Sequence, residues 1–124
     1  MNSAATVLLV EPDTDLRDTL CAVLEEAGYA VVAYGDSKEA LADLRDICAF
    51  DLLVTEVRLS NLDGWQLARD ARRLCPGLPV VFIPAHDQSR SMRGRRSFVL
   101  PKPFGARAFL IAIQLMASPL VTYH

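Results

Sequence analysis

Acidic side chains stand where apolar runs stop. The stretch Asp51-Leu-Leu-Val-Thr-Glu56 ends an apolar run in a single carboxylate, and a short loop with an Asp63-Gly64 turn follows. Thr6-Val-Leu-Leu-Val10 closes in the same way, on Glu11-Pro12-Asp13. Strands of a parallel sheet deliver the residues at their carboxyl ends to one crevice. Carboxylates clustered there, Glu11, Asp13 and Glu56 among them, would face a ligand crevice. Other chemistry is thinly represented. His86 and His124 stand alone, with no paired nucleophile and no metal-ligand spacing. Cys21, Cys48 and Cys75 form no Cys-x-x-Cys pair and read as small, partly buried thiols. The sequence shows no catalytic constellation, and we expect no enzyme.

The elements that would carry these residues can be read from periodicity. Thr6–Val10 is a continuous apolar run, which suits a strand covered on both faces. Asp13 or Asp15 can cap the helix that follows, whose apolar positions Leu16, Leu20, Val23 and Leu24 recur at helical spacing, and Gly28 stops it. Ala30–Tyr34 is a second strand. Ser37 is expected to cap a second helix with Ala40, Leu41, Leu44 and Ile47 on one face. Leu52–Val57 is a third strand, Gly64–Leu74 a helix, and Val80–Ile83 a fourth strand after the Pro76–Pro79 loop. From Ala85 to Arg96 the chain is polar and arginine-rich, so any helix there should be short. Ser97–Leu100 is a fifth strand, and a last helix runs from Gly105 to about Met116. Strands alternating with helices predict an α/β fold on a parallel sheet.

A chain of 124 residues fits one domain with a real core. Residues 1–124 are read as that domain, which could equally be one piece of a longer chain. No apolar run is long enough to cross a membrane, and the N-terminus has no basic segment ahead of an apolar one. The expected location is cytoplasmic, without a membrane partner. The net charge of −2 gives no pull toward nucleic acid.

Several separated motifs, in order along nearly the whole chain, resemble the receiver domain of two-component response regulators (CheY-like). Val7-Leu-Leu-Val-Glu11-Pro12-Asp13 is similar to the family's first strand and acidic pair. Phe50-Asp51-Leu-Leu-Val-Thr-Glu56 with Leu62-Asp63-Gly64 is similar to the phosphoacceptor strand and its turn. Pro79-Val-Val-Phe-Ile-Pro84-Ala85 looks like the fourth strand with its hydroxyl position, and Leu100-Pro-Lys102-Pro103-Phe104 like the lysine loop. The resemblance implies a flavodoxin-like (βα)5 sandwich of strand order 2-1-3-4-5, with a shortened or irregular fourth helix. It also implies a cis peptide between Lys102 and Pro103, since X-Pro bonds are the ones where cis is cheap.

In that family an aspartate accepts the phosphoryl group, an acidic cluster holds Mg²⁺, a hydroxyl senses the new group and a lysine pairs with it. This chain departs at three of those positions. Glu56 replaces the accepting aspartate, and its extra methylene moves the carboxylate by roughly an ångström or more, which spoils an attack that depends on positioning. Pro12 replaces a direct metal ligand. Pro84 replaces the hydroxyl. Glu11 and Lys102 are retained. The degenerate pocket is therefore Glu11, Pro12, Asp13, Arg58, Pro84 and Lys102 around Glu56. No cofactor is expected, the family's Mg²⁺ included; Glu11, Asp13 and Glu56 are its weak candidates. Glu56 and Lys102 are read as an ion pair, with Glu56 holding one fixed state as a sharper alternative. Arg58 is either a solvated loop residue or a cation that reaches back to Glu11 and Glu56.

The reading is a signalling domain uncoupled from conventional phosphorylation, a pseudo-receiver acting through protein–protein contacts. The alternative is a receiver that still accepts a phosphoryl group on Glu56 or a neighbouring acid with Mg²⁺. A flavodoxin-like cofactor binder is disfavoured, because Pro12 and two acids follow the first strand where a phosphate loop would be needed. Expected partners are a histidine kinase, an output domain or another signalling protein, and not nucleic acid. The last helix is apolar around most of its circumference, so a homodimer or docking through residues 105–121 is expected. Arg90-Ser-Met-Arg93-Gly-Arg95-Arg96 is read as a solvated basic loop.

Overall fold

The computed structural model describes residues 5–43, 46–85 and 96–117. Five strands, β1 (Thr6–Val10), β2 (Ala30–Tyr34), β3 (Leu52–Thr55), β4 (Val80–Phe82) and β5 (Ser97–Val99), pair in parallel in the order β2-β1-β3-β4-β5. Four helices accompany them: α1 (Thr14–Glu26), α2 (Ser37–Asp43), α3 (Gly64–Leu74) and α4 (Ala106–Ala117). A 3-10 turn, Ile47–Ala49, precedes β3. This is the flavodoxin-like order that the resemblance implied. The expected short helix between β4 and β5 lies outside the described residues, as do Leu44 and the segment 118–121.

Why the chain folds this way follows from side-chain alternation along the strands. Leu8, Val10, Leu53, Val80 and Phe82 point to one face, where Ala40 of α2 and Leu67, Ala68 and Ala71 of α3 cover them. Val7, Leu9, Leu52, Val54, Val81 and Ile83 point to the other, under Leu20 and Leu24 of α1 and Phe109 and Ile113 of α4. Strands buried on both sides need apolar residues at every position, and the runs read in the sequence are of that kind. Trp65 at the start of α3 lies against Phe82, ring centroids 4.2 Å apart. No helix among the described residues is long and apolar enough to cross a membrane.

The helix ends show the expected capping chemistry, with one correction. Asp13 accepts the Leu16 N–H at 3.1 Å, and Asp63 accepts the Gln66 N–H at 2.8 Å. Gly28, at φ 98°, turns the chain out of α1 in the left-handed region that glycine enters freely. Ser37 does not cap α2. Its hydroxyl is buried and occupied elsewhere, donating to the Leu62 carbonyl at 3.0 Å and accepting the Leu62 N–H at 3.1 Å. Asp36, one residue earlier, accepts the Lys38 N–H at 2.8 Å instead.

The last helix buries Phe109, Ala112 and Ile113 and leaves Ile111 and Leu115 exposed at 49% and 68%. Met116 is half-buried against the α1/α4 core. Arg96 is not a solvated loop arginine: at φ 60° it turns the chain into β5, and its guanidinium donates to the Met116 carbonyl at 3.1 Å. The rest of that basic segment lies outside the described residues. The peptide between Lys102 and Pro103 is cis.

Candidate functional site

The carboxyl ends of β1, β3, β4 and β5 converge, and backbone hydrogen bonds continue past the strands to hold them there. The Glu11 N–H donates to the Tyr34 carbonyl and the Glu56 N–H to the Val10 carbonyl, both at 2.9 Å. Lys102 donates its N–H to the Pro84 carbonyl at 2.9 Å. Four of the residues singled out in the sequence, Glu11, Glu56, Pro84 and Lys102, are placed by these strand ends. Gly64 brings α3 close beneath: its N–H donates to the Val57 carbonyl at 2.7 Å, and a Cβ there would collide with the Glu56 carbonyl oxygen.

At the centre stands the Lys102 ammonium. It lies 2.7 Å from Glu56 Oε1, to which it donates, and 2.8 Å from Glu11 Oε1, where the contact is ionic and off the axis of a hydrogen bond. Both glutamates are buried, Glu11 at 1% exposure and Glu56 at 4%. Buried charges persist only when paired and hydrogen-bonded. Here one cation faces two anions, so backbone donors make up the difference. Glu11 Oε2 accepts the Asp13 N–H at 2.9 Å. Glu56 Oε2 accepts the N–H groups of Val57 and Arg58, the latter at 3.2 Å. Burial pulls the Lys102 pKa down, but the two flanking carboxylates more than offset it and hold the ammonium above its ordinary value.

The remaining candidates lie at the edge. Pro12 and Asp13 are exposed, and the Asp13 carboxylate is engaged at the start of α1. Arg58 presents an exposed side chain and forms no ion pair with Glu11 or Glu56, so the reach-back arrangement is not formed. Its contribution is the backbone N–H just described. Pro84 is buried and brings no hydroxyl to the crevice. Thr55, next to Glu56, is buried with its hydroxyl donating to the Glu56 carbonyl at 2.8 Å.

Arg17 was missed by sequence reasoning. From α1 it donates to the Glu11 carbonyl at 2.8 Å and reaches the Pro12 carbonyl at 3.5 Å, fixing the loop after β1. An arginine one turn past a helix cap, on the side facing the preceding loop, was the available signal. Across the crevice, the Asn61 amide donates to both Asp36 oxygens, at 3.0 and 2.9 Å, tying the loop after β3 to the loop after β2. That amide holds the Asp36 carboxyl below its usual value.

A parallel sheet of this order, with acids and a lysine gathered at its carboxyl edge, defines a receiver-like signalling module. The family model for the response regulator receiver domain matches residues 7–114, and the chain belongs to that family. It is 34% identical to the response regulator receiver protein CpdR of Brucella abortus, over 89% of this chain and 94% of that protein. It is 40% identical to the response regulator protein FleR of Pseudomonas aeruginosa, over 86% of this chain but 23% of FleR. Among solved structures, a non-phosphorylated HemR receiver domain from Leptospira biflexa superposes with a TM-score of 0.82 at 33% identity, covering 97% of this chain and 99% of that one. A response regulator receiver protein from Sinorhizobium medicae gives 0.82 at 31%, covering 92% and 94%.

Receiver domains usually bind Mg²⁺ at the phosphorylation site. The residues here do not fit that ion. Among the described residues no three His, Cys, Asp or Glu side chains are grouped to hold a metal. The Lys102 ammonium lies between the two buried carboxylates, and Asp13 is turned to its helix.

Proposed function

We propose that this receiver works in a two-component signalling system without conventional phosphorylation at position 56, through contacts with protein partners. The observation that carries the reading is the Lys102 ammonium at 2.7 and 2.8 Å from Glu56 and Glu11. Glu56 falls where the resemblance puts the accepting aspartate. Its carboxylate is buried, engaged by an ammonium and held by two backbone N–H groups. A nucleophile must be aligned with the donor phosphorus and free to attack it. Glu56 is neither. Pro84, at the position of the sensing hydroxyl, has none to offer.

The partners proposed are a histidine kinase, an output domain or another signalling protein. Residues 105–121 are the proposed contact for a second copy or a docked domain, and exposed Ile111 and Leu115 support that.

Intact mass after incubation with acetyl phosphate and Mg²⁺ tests the proposal. The expected result is an unmodified chain. A stoichiometric phosphoryl adduct would overturn it and return the chain to the phosphate-accepting class, with Glu56 or a neighbouring acid as acceptor.

A further inference from the structure

At the end of the sheet opposite the carboxylate crevice, two of the three cysteines come together. Cys48 sits in the 3-10 turn Ile47–Ala49 that leads into β3, and Cys75 ends α3. Both segments are anchored. Asp46 accepts the Cys48 N–H at 3.2 Å, and the Cys75 N–H donates to the Ala71 carbonyl at 2.8 Å. The Cys48 thiol donates to the Leu74 carbonyl at 3.3 Å, the residue adjoining Cys75. Cys48 lies near enough to Cys75 to shift that thiol upward. Cys48 is exposed, Cys75 is half-buried, and Cys21 lies apart on α1.

We propose that Cys48 and Cys75 form a dithiol that peroxides oxidise to a disulfide, fastening the end of α3 to the turn before β3. Cys48 reacts first. It is the solvent-facing partner. The neighbouring Cys48 pushes the Cys75 thiol up to about 11, with burial adding to it, which makes Cys75 the later partner. The Cys48 thiolate attacks one peroxide oxygen and the O–O bond breaks. One oxygen stays on sulfur as the sulfenic acid. The other leaves as hydroxide and takes up the proton that Cys48 released. The Cys75 sulfur then attacks the Cys48 sulfur, the S–O bond breaks, and a second water leaves with the Cys75 proton. Two thiols lose two electrons and two protons, and one peroxide becomes two waters.

The test uses the unmodified chain, treated with a small excess of hydrogen peroxide, alkylated and mapped by mass spectrometry without reductant. The expected product is an intramolecular Cys48–Cys75 link, a mass lower by about 2 Da before alkylation, and loss of two of the three titratable thiols, all reversed by dithiothreitol. Cys21→Ser should still form the link, Cys48→Ser should keep both remaining thiols, and Cys75→Ser should stop at an unlinked sulfenic acid on Cys48 under the same treatment. Sulfinic or sulfonic adducts without a link, a link between chains through Cys48, or equal thiol loss at Cys21 would overturn the proposal. The map of the unmodified chain decides the matter even where a serine variant folds poorly.

Discussion

The Lys102 ammonium stands against two buried carboxylates, and that imbalance makes it the most sensitive side chain of the crevice. Removing one partner of a buried charge network leaves the others unmatched, which costs about 3–5 kcal/mol. Lys102→Met should therefore destabilise the chain by about that amount in urea unfolding. Glu56→Gln should cost less, because Lys102 retains Glu11. The lysine also sets a pH dependence. Its pKa is raised above 10.5 by folding, with the carboxylates outweighing burial. The stabilisation is fully present below 10.5 and disappears as pH climbs through the higher folded value. A plot of unfolding midpoint against pH should fall in that alkaline window for the wild type and flatten for Lys102→Met. Much of this was legible in the sequence: Glu11, Glu56 and Lys102 were picked out, and the structure unites them. For the Arg58 side chain the solvated-loop reading holds, whereas its backbone N–H on Glu56 was not legible, because the strand end and not the residue type fixes it.

The elements matter to the site chiefly through close approaches. Helix α3 begins against the end of β3, and Gly64 is the residue that allows it. Gly64→Ala forces a Cβ onto the Glu56 carbonyl, and the overpacking should cost about 1–3 kcal/mol, read as a lower urea midpoint with an unchanged slope. Most boundaries were readable because two periodicities alternate along the chain, and α3 runs over the predicted Gly64–Leu74. Asp36 and Ser37 were exchanged because both residue types cap helices. What decided between them was the distant Leu62, which occupies the serine hydroxyl. Cys48 and Cys75 escaped for the same reason: their meeting depends on how α3 returns beneath the sheet, and no local spacing encodes it.

At the scale of the whole molecule, both faces of the sheet are covered, yet apolar surface remains outside. Phe98 on β5 is exposed at 39%, and Ile111 and Leu115, four residues apart on α4, are more exposed still. Changing Ile111 and Leu115 together to Glu should leave helical content unchanged, since neither side chain is part of the buried core. In sedimentation the wild type should run as a dimer and the double variant as a monomer. A monomeric wild type at every concentration would remove the homodimer and leave the face to another domain.

The two N–H groups that end on Glu56 Oε2 carry a further consequence, on the clock of solvent exchange. Residues just beyond a strand ordinarily trade their amide hydrogens with water quickly, since local fraying exposes them. Val57 and Arg58 are latched to a carboxylate that is itself held by an ammonium inside the crevice. Opening either amide means releasing the buried anion as well. The loop should accordingly be silent in deuterium while the arginine side chain one bond away stays bathed in solvent, and Lys102→Met should set it exchanging.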